Sequence, residues 1–132
     1  MTTGAIVFAH GSRIESANQA VRDVAAELAR KVANTQVLAA FLELGQPSLE
    51  SAAAQLAAAG ISRIVILPYF LTLGLHMDRD LPRLIERISS IHNGLEIVSA
   101  PPLEGHPALA QILADRLEEV SGSSRQNLTS AH

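Results

Sequence analysis

The chain has 132 residues, enough for about one domain. It is 48% hydrophobic, 17% charged and only 3% aromatic, so its core must be aliphatic and alanine-rich. A net charge of −3, with no Lys/Arg block or aromatic ladder, argues against a nucleic-acid partner, and the absence of cysteine excludes disulfides, iron–sulfur clusters and thiolate zinc sites.

The longest apolar runs, such as Ile64 to Leu71, are far too short to span a bilayer, and Met1-Thr2-Thr3-Gly4 lacks the positive region of a secretory leader. A cytoplasmic protein without a membrane partner is expected.

Gly4 to Ala9 is apolar without polar alternation, which suits a strand buried on both faces. It stops at His10-Gly11-Ser12-Arg13. From Ile14 the period becomes helical, through Ala17, Val21, Val24, Leu28 and Val32 to a stop at Asn34. Gln36 to Leu44 is the second strand, with Glu43 at its end. Pro47-Ser48 opens a second helix, Ser48 being its N-cap, that runs through Leu49, Ala52, Ala53, Leu56 and Ala59 to Gly60.

The third strand, Arg63 to Leu71, is the most hydrophobic. Pro68 inside it cannot donate to a ladder and marks where pairing ends. Thr72 to His76 reads as a loop. Asp78 or Asp80 then caps the third helix, with Pro82 in its first turn and Leu81, Leu84, Ile85 and Ile88 as its buried stripe; Asn93-Gly94 ends it. Leu95 to Ser99 is the fourth strand, closed by Pro101-Pro102. Pro107 opens a last helix with Leu109, Ile112, Leu113, Leu117 and Val120 on one face. From Ser121 the chain is polar and unperiodic. The expected organisation is one domain over residues 1–120 and a tail over 121–132.

Strand and helix alternate four times. That pattern predicts an α/β fold: a flavodoxin-like three-layer sandwich, with a four-stranded parallel sheet in order 2-1-3-4 and helices on both faces. The switch point, where such sheets bind ligands at their carboxyl edge, falls between the first and third strands. His10, Glu43 and the loop bearing His76 all arrive at that edge. Two imidazoles and a carboxylate suit a borderline divalent metal such as cobalt, nickel, zinc or ferrous iron. The set lacks a fourth strong donor, which leaves room for a substrate's nitrogens. Ser12, Arg13 and Arg79 stand ready for an anionic ligand, and the helix start after Gly11 adds donors. No GxGxxG or GxxxxGK[ST] pattern occurs, so no nucleotide cofactor is expected. His92, His106 and His132 are read as a solvent-facing residue, a helix-entry residue and part of the tail.

Three blocks then carry a resemblance: Ala9-His10-Gly11-Ser12-Arg13; Phe41-Leu42-Glu43-Leu44 with Pro47-Ser48-Leu49; and Ile64 to Pro68 with Gly74-Leu75-His76 and Asp80-Leu81-Pro82. Together they resemble the CbiX/SirB family of class II tetrapyrrole chelatases, from about Ile6 to Val120. The chain looks like the short, single-domain, cobaltochelatase-like form, which implies a homodimer. The resemblance implies ATP-independent insertion of a divalent metal into sirohydrochlorin, Co2+ being favoured over Fe2+ or Ni2+, as in cobalamin or siroheme synthesis. It places the two metal-contacting histidines at His10 and His76 and the acidic partner at Glu43. Leu73-Gly74-Leu75 departs from the family's frequent second small residue before that histidine. Ser12, Arg13 and Arg79 would meet the substrate's peripheral carboxylates, and Phe70 and Leu75 would form an apolar wall for the macrocycle.

Other readings stay open beside this one. A non-catalytic metal or tetrapyrrole carrier would use the same residues. Histidine phosphotransfer also places His-Gly after a first strand, but its pattern has arginine where this chain has Ala9. A plain interaction domain would make the rim residues incidental.

Overall fold

A computed structural model describes residues 2–122. Those up to Pro102 form one compact unit and those from Leu103 a second. The elements alternate as β1 (Thr3–Ala9), α1 (Glu15–Lys31), β2 (Thr35–Phe41), α2 (Leu49–Ala58), β3 (Arg63–Pro68), α3 (Leu75–Ile91), β4 (Glu96–Ser99) and α4 (Ala108–Ser121). The predicted tail starts at Ser121, which closes α4; its residues 123–132 lie outside the described residues.

In the first unit the four strands form one parallel sheet in the order β2-β1-β3-β4, as expected. The central strand β1 shows why its sequence has no polar alternation. Ile6 and Phe8 point to one face, where they pack with Leu49, Ala52, Ala53 and Leu56 of α2 and Leu81 and Ile88 of α3. Val7 and Ala9 point to the other, against Val21 and Ala25 of α1. Successive side chains of a strand alternate faces, so a strand covered on both sides must be apolar at every position. Phe8, Ile6, Ile64, Ile66 and Leu56 are almost wholly buried. Each contributes about 1.5–3 kcal/mol relative to exposure. Alanines 52 and 53 let α2 sit close to the sheet. Ser48 caps that helix as expected, its hydroxyl accepting from the Ser51 N–H at 3.1 Å.

Two boundaries near the rim differ from the sequence expectation. β2 ends at Phe41 rather than Leu44, because the chain turns back on itself: the Phe41 N–H donates to the Pro47 carbonyl at 2.9 Å, and Leu44 adopts a left-handed conformation with φ 59°. Glu43 therefore sits in a turn. α3 begins at Leu75, so His76 lies in the first helical turn and not in a loop. Gly74 is the N-cap, its carbonyl accepting from the Asp78 N–H at 2.9 Å, so neither Asp78 nor Asp80 is the cap. Asp78 instead favours the helix start through the macrodipole. Pro82 falls inside the helix rather than in its first turn, at the cost of one ladder bond. Pro68 ends β3, as its missing donor requires.

The second unit contains α4, with Pro107 as its N-cap residue. None of the α4 residues is buried, and Ile112, Leu113, Leu117 and Val120 are exposed. His106 is the helix-entry residue the sequence suggested, its Nδ1 accepting from the Ala108 N–H at 3.0 Å.

Candidate functional site

Three parallel strands deliver their carboxyl ends to one edge. Beyond the end of β1 the pairing runs on in single backbone bonds. The Leu42 N–H donates to the Ala9 carbonyl at 2.9 Å, and the Glu43 N–H to the His10 carbonyl at 3.1 Å. On the other flank the Tyr69 N–H donates to the Phe8 carbonyl at 2.7 Å. His10 and Glu43 are thus neighbours through the backbone, and both side chains are exposed. Gly11 makes this approach possible. Its φ is 99°, and a Cβ there would stand 1.6 Å from the Glu43 carbonyl oxygen. No residue with a side chain fits.

The turn after His10 is tied down further. The Ser12 hydroxyl accepts from the Ile14 N–H at 3.0 Å, and the Ser12 N–H donates to Asn18 Oδ1 at 2.9 Å. Two donors that the sequence offered to an anion are therefore already engaged within the chain. The Ser12 hydroxyl hydrogen and the exposed Arg13 side chain remain. The Asn18 amide also donates to the Ser12 and Leu44 carbonyls, both at 2.9 Å, and to Glu15 Oε1 at 3.3 Å. Sequence reasoning passed over Asn18. The signal was present: it falls on the stripe of α1 that otherwise carries buried Val21 and Ala25.

On α3, His76 and Arg79 are one turn apart. Arg79 Nη2 lies 3.2 Å from His76 Nδ1. A guanidinium only donates, so Nδ1 is the accepting nitrogen and the ring proton sits on Nε2. In this arrangement Arg79 covers the Nδ1 lone pair. Leu75 projects into solvent at 90% exposure. Phe70 is half-buried, its ring edge-on to Phe8 with centroids 6.1 Å apart, so it is committed partly to the core.

A groove of about 310 Å³ is lined by Leu42, Met77, Asp80, Arg83, Leu84 and Arg87; Glu43 and His76, next in the chain to Leu42 and Met77, do not line it. Arg83 and Arg87 were not foreseen. They continue the row begun by Arg79 at four-residue spacing, a pattern visible in the sequence. Arg87 pairs with Glu50, both side chains being exposed. Among the described residues, no three His, Asp or Glu side chains cluster closely enough to hold a metal. The chain brings His10 and Glu43 together and sets His76 on a different element of the same edge.

An open parallel sheet with exposed imidazoles at its switch-point edge is an α/β architecture of the kind that binds ligands at that rim. A family model for CbiX matches residues 4–120, and the chain belongs to the CbiX family. A relative named sirohydrochlorin cobaltochelatase, from Sulfurisphaera tokodaii, is 36% identical over 127 residues, covering 94% of this chain and 98% of that one. The chloroplastic sirohydrochlorin ferrochelatase of Arabidopsis thaliana is 29% identical over 115 residues, covering 87% of this chain but 51% of that protein. The crystal structure of a CbiX protein from Marinobacter aquaeolei superposes with a TM-score of 0.81 at 28% identity, covering 92% of this chain and 99% of the other.

Proposed function

We propose that this CbiX-family chelatase inserts a divalent metal into sirohydrochlorin without ATP, residues 1–120 acting as one working domain. Co2+ is the preferred metal, with Fe2+ or Ni2+ as alternatives, and the product serves cobalamin- or siroheme-type synthesis. The observation that carries this reading is the backbone lock between the His10 and Glu43 turns, on the edge that also bears His76. Family membership supports the same chemistry.

Insertion exchanges two pyrrole N–H protons for one M2+. His10 and His76 present the metal through their imidazoles. Glu43 takes up a released proton or balances charge beside His10. Either imidazole not engaged with metal serves as a second acceptor. Ser12, Arg13 and Arg79 orient the ring by its peripheral carboxylates through charge-assisted bonds. When Arg79 turns to a substrate carboxylate it uncovers the His76 Nδ1 lone pair. Leu75 supplies apolar surface for the macrocycle, and Phe70 backs it from the core side. Imidazole and carboxylate donors do not separate cobalt from ferrous iron or nickel sharply, so the preference for cobalt rests on likeness to the Sulfurisphaera protein. The protein works in the cytoplasm as a homodimer, each rim supplying half of the cleft.

The test is an anaerobic absorbance assay with sirohydrochlorin and Co2+, Fe2+ or Ni2+ in turn, against metal-only controls. Multiple-turnover conversion is expected, fastest with Co2+. His10→Ala should slow it at least about tenfold at limiting metal. Conversion of no more than one ring per site would instead make the protein a carrier. A wild-type rate in folded His10→Ala would remove His10 from the mechanism.

A further inference from the structure

We infer that Asn18 is a positioning residue for metal insertion, one that sets the His10 turn and the Glu43 turn relative to each other. The inference rests on the reading of His10 and Glu43 above and deepens it. Asn18 is 2% exposed and is the one polar residue in the buried set of the described chain. It does not reach the rim surface, so it has no access to substrate. Its amide group is fully used. Oδ1 accepts from the Ser12 N–H, two residues after His10, and Nδ2 donates to the Ser12 carbonyl; both bonds are 2.9 Å. The same Nδ2 donates to the Leu44 carbonyl, one residue after Glu43, also at 2.9 Å.

One carboxamide therefore closes a bridge between two turns that belong to different strands. It shares the buried face of α1 with Val21 and Ala25. The space around it is as restricted as its bonding. A Cβ on Gly45 would come within 3.1 Å of Asn18 Nδ2 and 2.8 Å of the Phe41 ring. The glycine lets the turn after Leu44 close over the amide. Buried donors and acceptors are costly to leave unpaired, so a residue that replaces this carboxamide must let one turn move away from the other. A shift there displaces the Glu43 turn from the His10–Ser12 turn, since Asn18 holds both.

The test is steady-state Co2+ insertion into sirohydrochlorin by the full chain and by Asn18→Ala, Asn18→Asp, Glu43→Gln and the Asn18→Ala/Glu43→Gln double variant, with folding checked by circular dichroism. Asn18→Ala should lower kcat roughly 10- to 100-fold, the range for groups that orient a metal-site residue. Because Asn18 acts through Glu43, the double variant should be no slower than Glu43→Gln alone by more than about twofold, a non-additivity that lost stability alone would not give. Should Asn18→Ala fail to fold, Asn18→Asp decides. It is isosteric and keeps the acceptor for Ser12, but turns a second acceptor toward the Leu44 carbonyl, and should show the same kcat loss.

Wild-type kcat in either folded Asn18 variant, additive losses in the double variant, or Glu43→Gln at wild-type kcat overturns the inference while leaving a turning-over wild type as a chelatase. A wild type without turnover overturns the parent reading instead.

Discussion

Gly11 is the residue at which backbone geometry and chemistry meet. Its positive φ and its contact with the Glu43 carbonyl place His10 beside the second strand's turn. Gly11→Ala should destabilise the protein by more than about 2 kcal/mol, since left-handed strain alone reaches 1–3 kcal/mol and the clash adds to it. Urea unfolding would measure this. Arg79 is a second residue whose role geometry defines. Its guanidinium lies 3.2 Å from His76 Nδ1, the nitrogen that takes the cation in the proposed function. Arg79→Ala should tighten Co2+ binding about twofold to fivefold in the absence of tetrapyrrole, the scale of an exposed polar contact. It should raise the KM for tetrapyrrole, because an anion anchor is lost. Calorimetric titration and the insertion assay read the two effects separately. His10, Gly11 and Ser12 were legible in the sequence because a strand, a glycine turn and a helix start leave a local signature. The place of Asn18 on the α1 stripe was legible, but its bond to a carbonyl 26 residues away was not, since no local pattern reveals that partner.

At the level of elements, α1 does more than cover the sheet. Glu15 in its first turn pairs with Arg22 at 2.7 Å, and Arg22 reaches the Gln46 carbonyl at 3.0 Å while its guanidinium lies 5.2 Å from the centre of the Phe41 ring. The hydrogen bond from Arg22, with a smaller one from Asn18, holds the Glu15 carboxyl below the ordinary glutamate range. A carboxylate whose pKa is lower folded than unfolded stabilises the fold above its unfolded pKa, and that contribution is lost as pH falls through the folded value. Acid titration of stability should therefore show a loss below the ordinary glutamate range that is shallower in Glu15→Gln. An equal acid slope in the two proteins would remove Glu15 from this role. The same scale shows where periodicity misleads. Strand two is apolar through Leu42, yet the regular strand ends at Phe41, after which only the single bonds to the Ala9 and His10 carbonyls continue before the turn back to Pro47. Helix α3 starts before its first acidic residue, since an extended glycine serves as its cap without any side chain.

For the whole molecule, the rim is the feature that needs explanation. Ile14, Leu42, Leu44, Leu71 and Leu75 are exposed beside polar and charged groups at the carboxyl edge. A flat macrocycle needs two walls, and one open sheet supplies one. We predict that sedimentation equilibrium will give about twice the monomer mass, and that sirohydrochlorin will favour the dimer. A monomer that turns over at full rate at all concentrations would show that one rim suffices.

By itself the sequence determined the parallel α/β sheet, its order and the arrival of His10, Glu43 and His76 at one edge. Those follow from strand and helix periods, from turn residues and from right-handed crossovers, all of which are local or nearly so. Only the tertiary structure decided how the turns meet. Gly11 against Glu43, Asn18 between Ser12 and Leu44, and Arg79 over His76 each depend on atoms brought within van der Waals or hydrogen-bond reach by packing. Such contacts are set by distances of tenths of an ångström between segments, and residue type along the chain does not encode those distances one position at a time.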